Sequence, residues 1–259
     1  MTTKADTAFC LNGLTALVTG GASGIGEATC RELARGGATV WVADINFPAA
    51  EALAAEIVAA GGSAKPVAMD VTNPASIDTA VAQVGTLDVL VNNAGIGHVG
   101  SIATTEAEDF DRLMNVNVRS VYLVTRAFLP QLLASARKGS IVNIASVAGL
   151  VGIRQRFAYC TTKGAIVAMT RQLAVDYAKQ LRVNAICPGT VQTPFVEGYL
   201  EKYHKHEKEK IREELNARQP IGRLGQPEEI ASMVRYLASP EAAFITGSLL
   251  NIDGGWTAA

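Results

Sequence analysis

The stretch TALVTGGASGIGEATCRELARGG, residues 15–37, changes character twice. It opens as TALVTG, a β-branched run that ends at Gly20 and reads as a strand. It closes as GIGEATCRELARGG, a helical pattern stopped by Gly36 and Gly37. Between the two, Gly20, Gly24 and Gly26 give the spacing G-x-x-x-G-x-G rather than the commoner G-x-G-x-x-G. Glycines permit a tight turn and let backbone amides approach a pyrophosphate at a helix N-terminus. A glycine cluster alone could be only a turn. A strand before it and a helix after it make it a candidate dinucleotide loop, with Gly20, Ser23, Gly24, Ile25 and Gly26 as contacts.

The same alternation continues along the chain. ATVWVAD, AKPVAMDV, LDVLVNNAG, GSIVNIAS, LRVNAICPG and SLLNIDGG read as further strands. PAAEALAAEIVAAGG, a long segment from about Thr105 to Ser135, and the segment after GSIVNIAS read as helices. Strands apolar throughout and separated by helices imply a parallel sheet covered on both faces. The expected fold is α/β, a doubly wound Rossmann-type sheet, in a single domain over residues 1–259. A charge-dense stretch at residues 197–219 interrupts the apolar pattern. It reads as a solvated helix with pairs such as Glu201–Lys205. Its place after the sixth strand also suits a substrate lid at about 190–219.

Composition narrows the class. The 259 residues carry a formal net charge of -1, so no basic surplus points to nucleic acid or to an anionic membrane. The cysteines, Cys10, Cys30, Cys160 and Cys187, form no C-x-x-C pair and suit reduced thiols in a cytoplasmic protein. The N-terminal MTTKADTAFC has no long apolar stretch with a cleavage site, and no run of 18 apolar residues exists. His204 and His206 point to different faces of a helix, so no metal site is expected.

Ligands in doubly wound sheets bind at the carboxyl ends of the strands. Asp44 ends the second strand, at the spacing of an acid that bonds the adenosine ribose, and would oppose a 2′-phosphate. The expected cofactor is therefore NAD rather than NADP. Asp44 could otherwise be an ordinary helix cap. Asp70 and Val71 at the third strand, and Asn93, Ala94 and Gly95 in NNAG, occupy the same edge.

FAYCTTKGAI places Tyr159 and Lys163 four residues apart, side by side on a helix. A free phenol titrates near 10, so it is a poor base at neutral pH. The Lys163 ammonium, with a positive nicotinamide ring, would favour the phenolate; about 3 pKa units correspond to roughly 4 kcal/mol. Ser146, at the end of the fifth strand, would hold the substrate oxygen. Asn115, in LMNVNVRS, would hold a water that relays protons.

With these elements in order, the sequence resembles the short-chain dehydrogenase/reductase family. TGGASGIG, NNAG, Asn115, Ser146, YCTTK and PGTVQTP carry the resemblance, and LLNIDGGW extends it. It implies a catalytic tetrad of Asn115, Ser146, Tyr159 and Lys163, and a nicotinamide dinucleotide cofactor. It also implies nicotinamide contacts through Pro188, Val191 and Thr193, and a homotetramer.

RQRFAYCTTK with ARQPIGR looks like the branch holding cytosolic 3-hydroxybutyrate and 2-keto-3-deoxy-sugar-acid dehydrogenases. The expected substrate is a small carboxylate, with a 2-keto-3-deoxy-L-fuconate type of sugar acid favoured. The alternatives are 3-hydroxybutyrate dehydrogenase, a 3-oxoacyl carrier-protein reductase, or, in another class, a non-catalytic dinucleotide-binding scaffold. Arg156 and Arg218 are the candidate carboxylate anchors, beside Ser146 and Tyr159. Arg154 should point elsewhere. His98 reads equally as a substrate-lining donor or a solvent-facing loop residue.

Overall fold

A computed structural model describes residues 8–259. Residues 1–7, part of the stretch read for a leader, lie outside the described residues. Seven strands form one parallel sheet in the order β3-β2-β1-β4-β5-β6-β7. They are β1 (Thr15–Thr19), β2 (Thr39–Asp44), β3 (Ser63–Ala68), β4 (Val89–Asn92), β5 (Gly139–Ile144), β6 (Leu181–Pro188) and β7 (Leu249–Ile252).

One face of the sheet is covered by α1 (Gly24–Arg35), α2 (Phe47–Ala59) and α9 (Pro227–Ala238), through Leu33, Ile57, Val234 and Leu237. The other is covered by α3 (Pro74–Val84) and α5 (Ser120–Ala134), through Ile77, Phe128 and Leu132. The expected doubly wound architecture is present. The strand order reverses between β1 and β4, which opens a crevice at their carboxyl ends.

The central strands match the apolar reading: every residue of β5 and β6 is buried. The edge strand β3 does not. Its SAKPVA is largely exposed, with Lys65 lying over the Trp41 ring at 5.2 Å. Lys and Pro suit an edge because neither extends the sheet to another chain.

Two helices, α3 and α9, go beyond the elements read from the sequence. α3 is capped by Asn73. α9 opens on a capping box between Gln226 and Glu229. The long helix expected over 105–135 is three joined pieces: α4 (Ala107–Met114), a π turn at Asn115–Arg119, and α5. The π turn changes the phase of every side chain that follows it.

A buried amide network ties the sheet to its cover. Asn92 Nδ2 donates to Asn143 Oδ1 at 2.9 Å and to Thr125 Oγ1 at 3.1 Å, and Asn143 Nδ2 donates to Thr170 Oγ1 at 2.9 Å. Thr170 lies on α6 (Phe157–Asp176), so the helix bearing Tyr159 is fixed to the centre of the sheet. Among the described residues, no helix is long and apolar enough to cross a membrane.

Candidate active site

The loop between β1 and α1 is shaped by close contact. Gly20 has φ +60 and lies so near the chain that an added Cβ would stand 3.0 Å from Ala94 Cα. A Cβ on Gly26 would strike the Gly20 carbonyl oxygen. Ser23 precedes α1 without capping it by its side chain. The amides of the first helical turn have no intrahelical partners and are free for an anion. Asn93 Nδ2 braces the loop through the carbonyls of Thr19 and Gly20 at 3.0 and 2.9 Å.

A cavity of about 290 Å³ begins at this loop and passes between the ends of β4, β5 and β6. Its walls include Gly20, Ser23, Gly24, Ile25, Asn93, Ala94 and Gly95, then Pro188, Val191 and Thr193. A pyrophosphate-linked dinucleotide fits this arrangement: open amides at one end, backbone kept free of Cβ atoms, and a channel onward. Gly26 lies beneath the loop. Asp44, Asp70 and Val71 stand at the same sheet edge but outside the cavity walls. Asp44 Oδ2 accepts from Ala22 N at 3.1 Å and Oδ1 from Asn46 N at 2.9 Å, while Asn46 is the residue that caps α2. Asp70 Oδ1 accepts from the amide and hydroxyl of Thr72.

Further along, Ser146, Tyr159 and Lys163 share the cavity. Ser146 ends β5's loop and caps a short 3-10 turn by accepting from Ala148 N at 3.1 Å. Lys163 is one helical turn beyond Tyr159, with Nζ 5.8 Å from the phenol ring centroid. That Nζ donates to the Ile144 carbonyl at 2.8 Å and is buried.

The electrostatics differ from the expectation. Burial pushes the Tyr159 phenol up; a hydrogen bond from Ser146 and the charge of Arg156 pull it back. The cation that opposes burial at Tyr159 is thus Arg156, not Lys163. Burial lowers the Lys163 ammonium itself, to about 8. An ammonium held in a low-dielectric site is destabilised, and its bond to a neutral carbonyl does not replace the hydration it loses.

Asn115 is a correction. It lies in the π turn with Oδ1 accepting from Arg119 at 3.3 Å, outside the cavity wall that the other three residues share. Asn117 occupies the inner face instead and is buried. Its Oδ1 accepts from Ile96 N at 2.8 Å; its Nδ2 donates to Ile96 O at 2.9 Å and to Thr162 Oγ1 at 3.1 Å. The alternation in NVNVR offers both asparagines, and only the π turn decides which one faces inward.

His98 is a second correction. It is neither exposed nor in the cavity wall: its ring is buried, with Nε2 3.4 Å from Asp109 and Nδ1 without a partner. Arg156 and Arg218 do line the cavity; Arg154 does not. Arg156 is the residue before α6 rather than within it, paired by backbone to Gly100. Its Nη1 donates to the His98 carbonyl at 3.1 Å, and its Cζ lies 4.5 Å from the Tyr199 ring centroid. Arg218 lies over Trp256 at 5.9 Å.

The charged segment forms α7 (Pro194–Tyr203) and α8 (Lys208–Ala217), which share a small core of Val196, Leu200, Ile211 and Leu215 and contribute Phe195, Tyr199 and Leu215 to the cavity wall. Glu201 pairs with Lys205 at 3.8 Å, and Arg212 with Glu197 at 3.0 Å. The wall residues Phe195, Tyr199 and Trp256 were not singled out from the sequence. The aromatics between the charges of EGYLEKYHKHEKEK were the signal available for Tyr199.

A family profile described as Enoyl-(Acyl carrier protein) reductase matches residues 20–257. The chain is 44% identical to 2-(S)-hydroxypropyl-CoM dehydrogenase 3 of Xanthobacter autotrophicus, over 93% of this chain and 95% of that one. It is 41% identical to 2-keto-3-deoxy-L-fuconate dehydrogenase of Xanthomonas campestris, over 95% of this chain and 81% of that one. A crystal structure from Beutenbergia cavernae, provisionally assigned as an NAD(P)-dependent gluconate 5-dehydrogenase and holding NADP at low occupancy, superposes with a TM-score of 0.89 at 34% identity. It covers 97% of this chain and 99% of that one. The chain therefore belongs to the short-chain dehydrogenase/reductase family, as an oxidoreductase of secondary alcohols with a nicotinamide dinucleotide cofactor.

Proposed function

We propose that the protein is an NAD-dependent dehydrogenase of a small hydroxy acid, with a 2-keto-3-deoxy-sugar acid the favoured substrate. One observation carries this reading. Among the described residues, the cavity wall bears three cationic side chains, Lys163, Arg156 and Arg218, and no aspartate or glutamate. Arginine suits an acid because its planar fork donates two parallel hydrogen bonds. The sugar-acid relative, whose printed name is 2-keto-3-deoxy-L-fuconate dehydrogenase, lends support to the substrate class.

Tyr159 acts as the general base toward the substrate hydroxyl, and Ser146 holds that oxygen in place. Lys163 fixes the helix register through its bond to the Ile144 carbonyl. Asn117, in place of Asn115, completes the group by locking α6 to the loop after β4. A bound nicotinamide dinucleotide supplies the hydride acceptor, held by the glycine loop, by Asn93–Gly95 and by Pro188, Val191 and Thr193. Asp44 supports NAD, since an acid at the carboxyl end of β2 would oppose a 2′-phosphate.

The test compares Arg156→Met and Arg218→Met on a hydroxy acid and on its neutral methyl ester. Each substitution should cost the acid about 1.5–3 kcal/mol in kcat/KM taken at the high-pH plateau, the range for hydrogen bonds to charged groups, and the ester much less. Equal losses on both substrates, or none on either, point to a neutral substrate and remove the hydroxy-acid reading.

A further inference from the structure

Helix α7 presents Tyr199 to the substrate end of the cavity, and none of the chemistry above uses it. Its ring meets the Arg156 guanidinium, 4.5 Å from centroid to Cζ. Its hydroxyl meets His204 Nε2 at 2.8 Å, and His204 is the residue at which α7 stops. The Tyr199 and His204 rings also touch edge to face, with centroids 5.0 Å apart. Tyr199 is thus held from behind while it faces the arginine.

Arg156 has a further polar hold, the Nη1 bond to the His98 carbonyl at 3.1 Å. Among the described residues, no carboxylate stands within ion-pair distance of it. An acidic partner would neutralise this guanidinium and compete with an acidic ligand. An aromatic face holds a guanidinium by its ring quadrupole instead. It fixes the plane of the group while the in-plane N–H edge stays open.

We propose that Tyr199, braced by His204, is a positioning residue that fixes the Arg156 guanidinium and so sets the cavity's preference for an acidic over a neutral substrate. This rests on the reading of Arg156 as the acid-binding group. It also makes the lid part of substrate selection, because the ring that orients Arg156 is carried by α7.

Tyr199→Leu removes the ring at similar bulk. Its KM for the hydroxy acid should rise about five- to twentyfold, the span of a desolvated cation–π contact, with kcat within about twofold. The KM for the methyl ester should move less than about twofold. Tyr199→Phe keeps the ring and should restore most of the preference. His204→Ala leaves the ring unbraced and should shift the acid-to-ester ratio in the same direction by about two- to threefold, a readout that survives if Tyr199→Leu folds poorly. In the double variant Arg156→Met/Tyr199→Leu, the second change should add nothing for the acid. Equal losses on acid and ester in Tyr199→Leu, or full additivity with Arg156→Met, overturn this inference alone. An unchanged acid-to-ester ratio in Arg156→Met overturns it together with the reading of the arginine on which it rests.

Discussion

Asn117 Nδ2 donates to Thr162 Oγ1 at 3.1 Å, joining the π turn to the turn of α6 that carries Tyr159 and Lys163. The same side chain closes two bonds on the Ile96 backbone. Removing it takes partners from the half-buried Ile96 backbone and from buried Thr162 Oγ1, which keeps its bond to the Tyr159 carbonyl, and should cost roughly 1–3 kcal/mol. Asn117→Ala should lower the melting temperature clearly and reduce kcat by about tenfold or more, since small misplacements of reacting groups are expensive. Asn115→Ala loses one bond to exposed Arg119 and should stay within about 0.5 kcal/mol of wild type in urea unfolding. The reverse ranking would return Asn115 to the tetrad.

That pair also marks the boundary of what the sequence makes legible. The strand–loop–helix around Gly20–Gly26, the buried strands β5 and β6, and the Tyr159–Lys163 spacing are local patterns, and each appears in the structure where it was read. The choice of Asn117 is not local, because a π turn breaks the helical phase and nothing in NVNVR announces it. The same holds for His98, whose ring is buried 3.4 Å from Asp109 of α4, and for Arg156, whose influence on Tyr159 arises across a turn that precedes the helix. Periodicity also misses α3, whose burial rests on Ile77, Ala80 and Val84 alone, too few large apolar residues to stand out.

Lys163 should leave a signature in stability. Burial lowers its value from the ordinary lysine range to about 8. The folded protein therefore binds fewer protons than the unfolded chain between about pH 8 and the ordinary lysine value. Stability gains from this group as pH rises through that window, and its cost is full below about 8. The total is on the order of 3 kcal/mol. Lys163→Met should flatten the rise between pH 7 and 10 in chemical denaturation, on top of a constant loss from the unpaired Ile144 carbonyl. Parallel pH curves for the two proteins would mean that the ammonium is not desolvated.

Tyr159→Phe keeps the ring and removes the proton acceptor. Turnover should fall by about 10³-fold while cofactor binding, followed by fluorescence titration, persists. A near-normal rate would remove Tyr159 as the base.

Arg156 should tune that base. Its charge lowers the Tyr159 phenol against the upward push of burial. In alcohol oxidation the deprotonated phenol is the active form, so kcat/KM should climb with pH. Arg156→Met removes the lowering charge and should shift the climb to higher pH. Measured on the neutral methyl ester, the shift is separated from any effect on binding an acid. A shift to lower pH, or none, would show that the Arg156 charge does not reach the phenol.

Asp44 tests the cofactor. Its carboxylate accepts from Ala22 N in the glycine loop and from Asn46 N at the start of α2, so it braces the loop as well as carrying charge. Asp44→Ala would remove both functions together. Asp44→Asn removes the charge and keeps one oxygen, which can still accept from Ala22 N and hold the glycine loop, while the bond from Asn46 N is lost. If the carboxylate excludes a 2′-phosphate, the wild type should favour NAD over NADP, and Asp44→Asn should narrow that preference by about 1–3 kcal/mol in kcat/KM. The narrowing should come mainly from better use of NADP, because relief of repulsion acts on the phosphate alone. A wild type that already uses both cofactors equally would leave Asp44 as a brace of the loop and not a reader of the ribose. A loss of NAD activity with no gain for NADP would place its contribution in a ribose hydrogen bond rather than in charge.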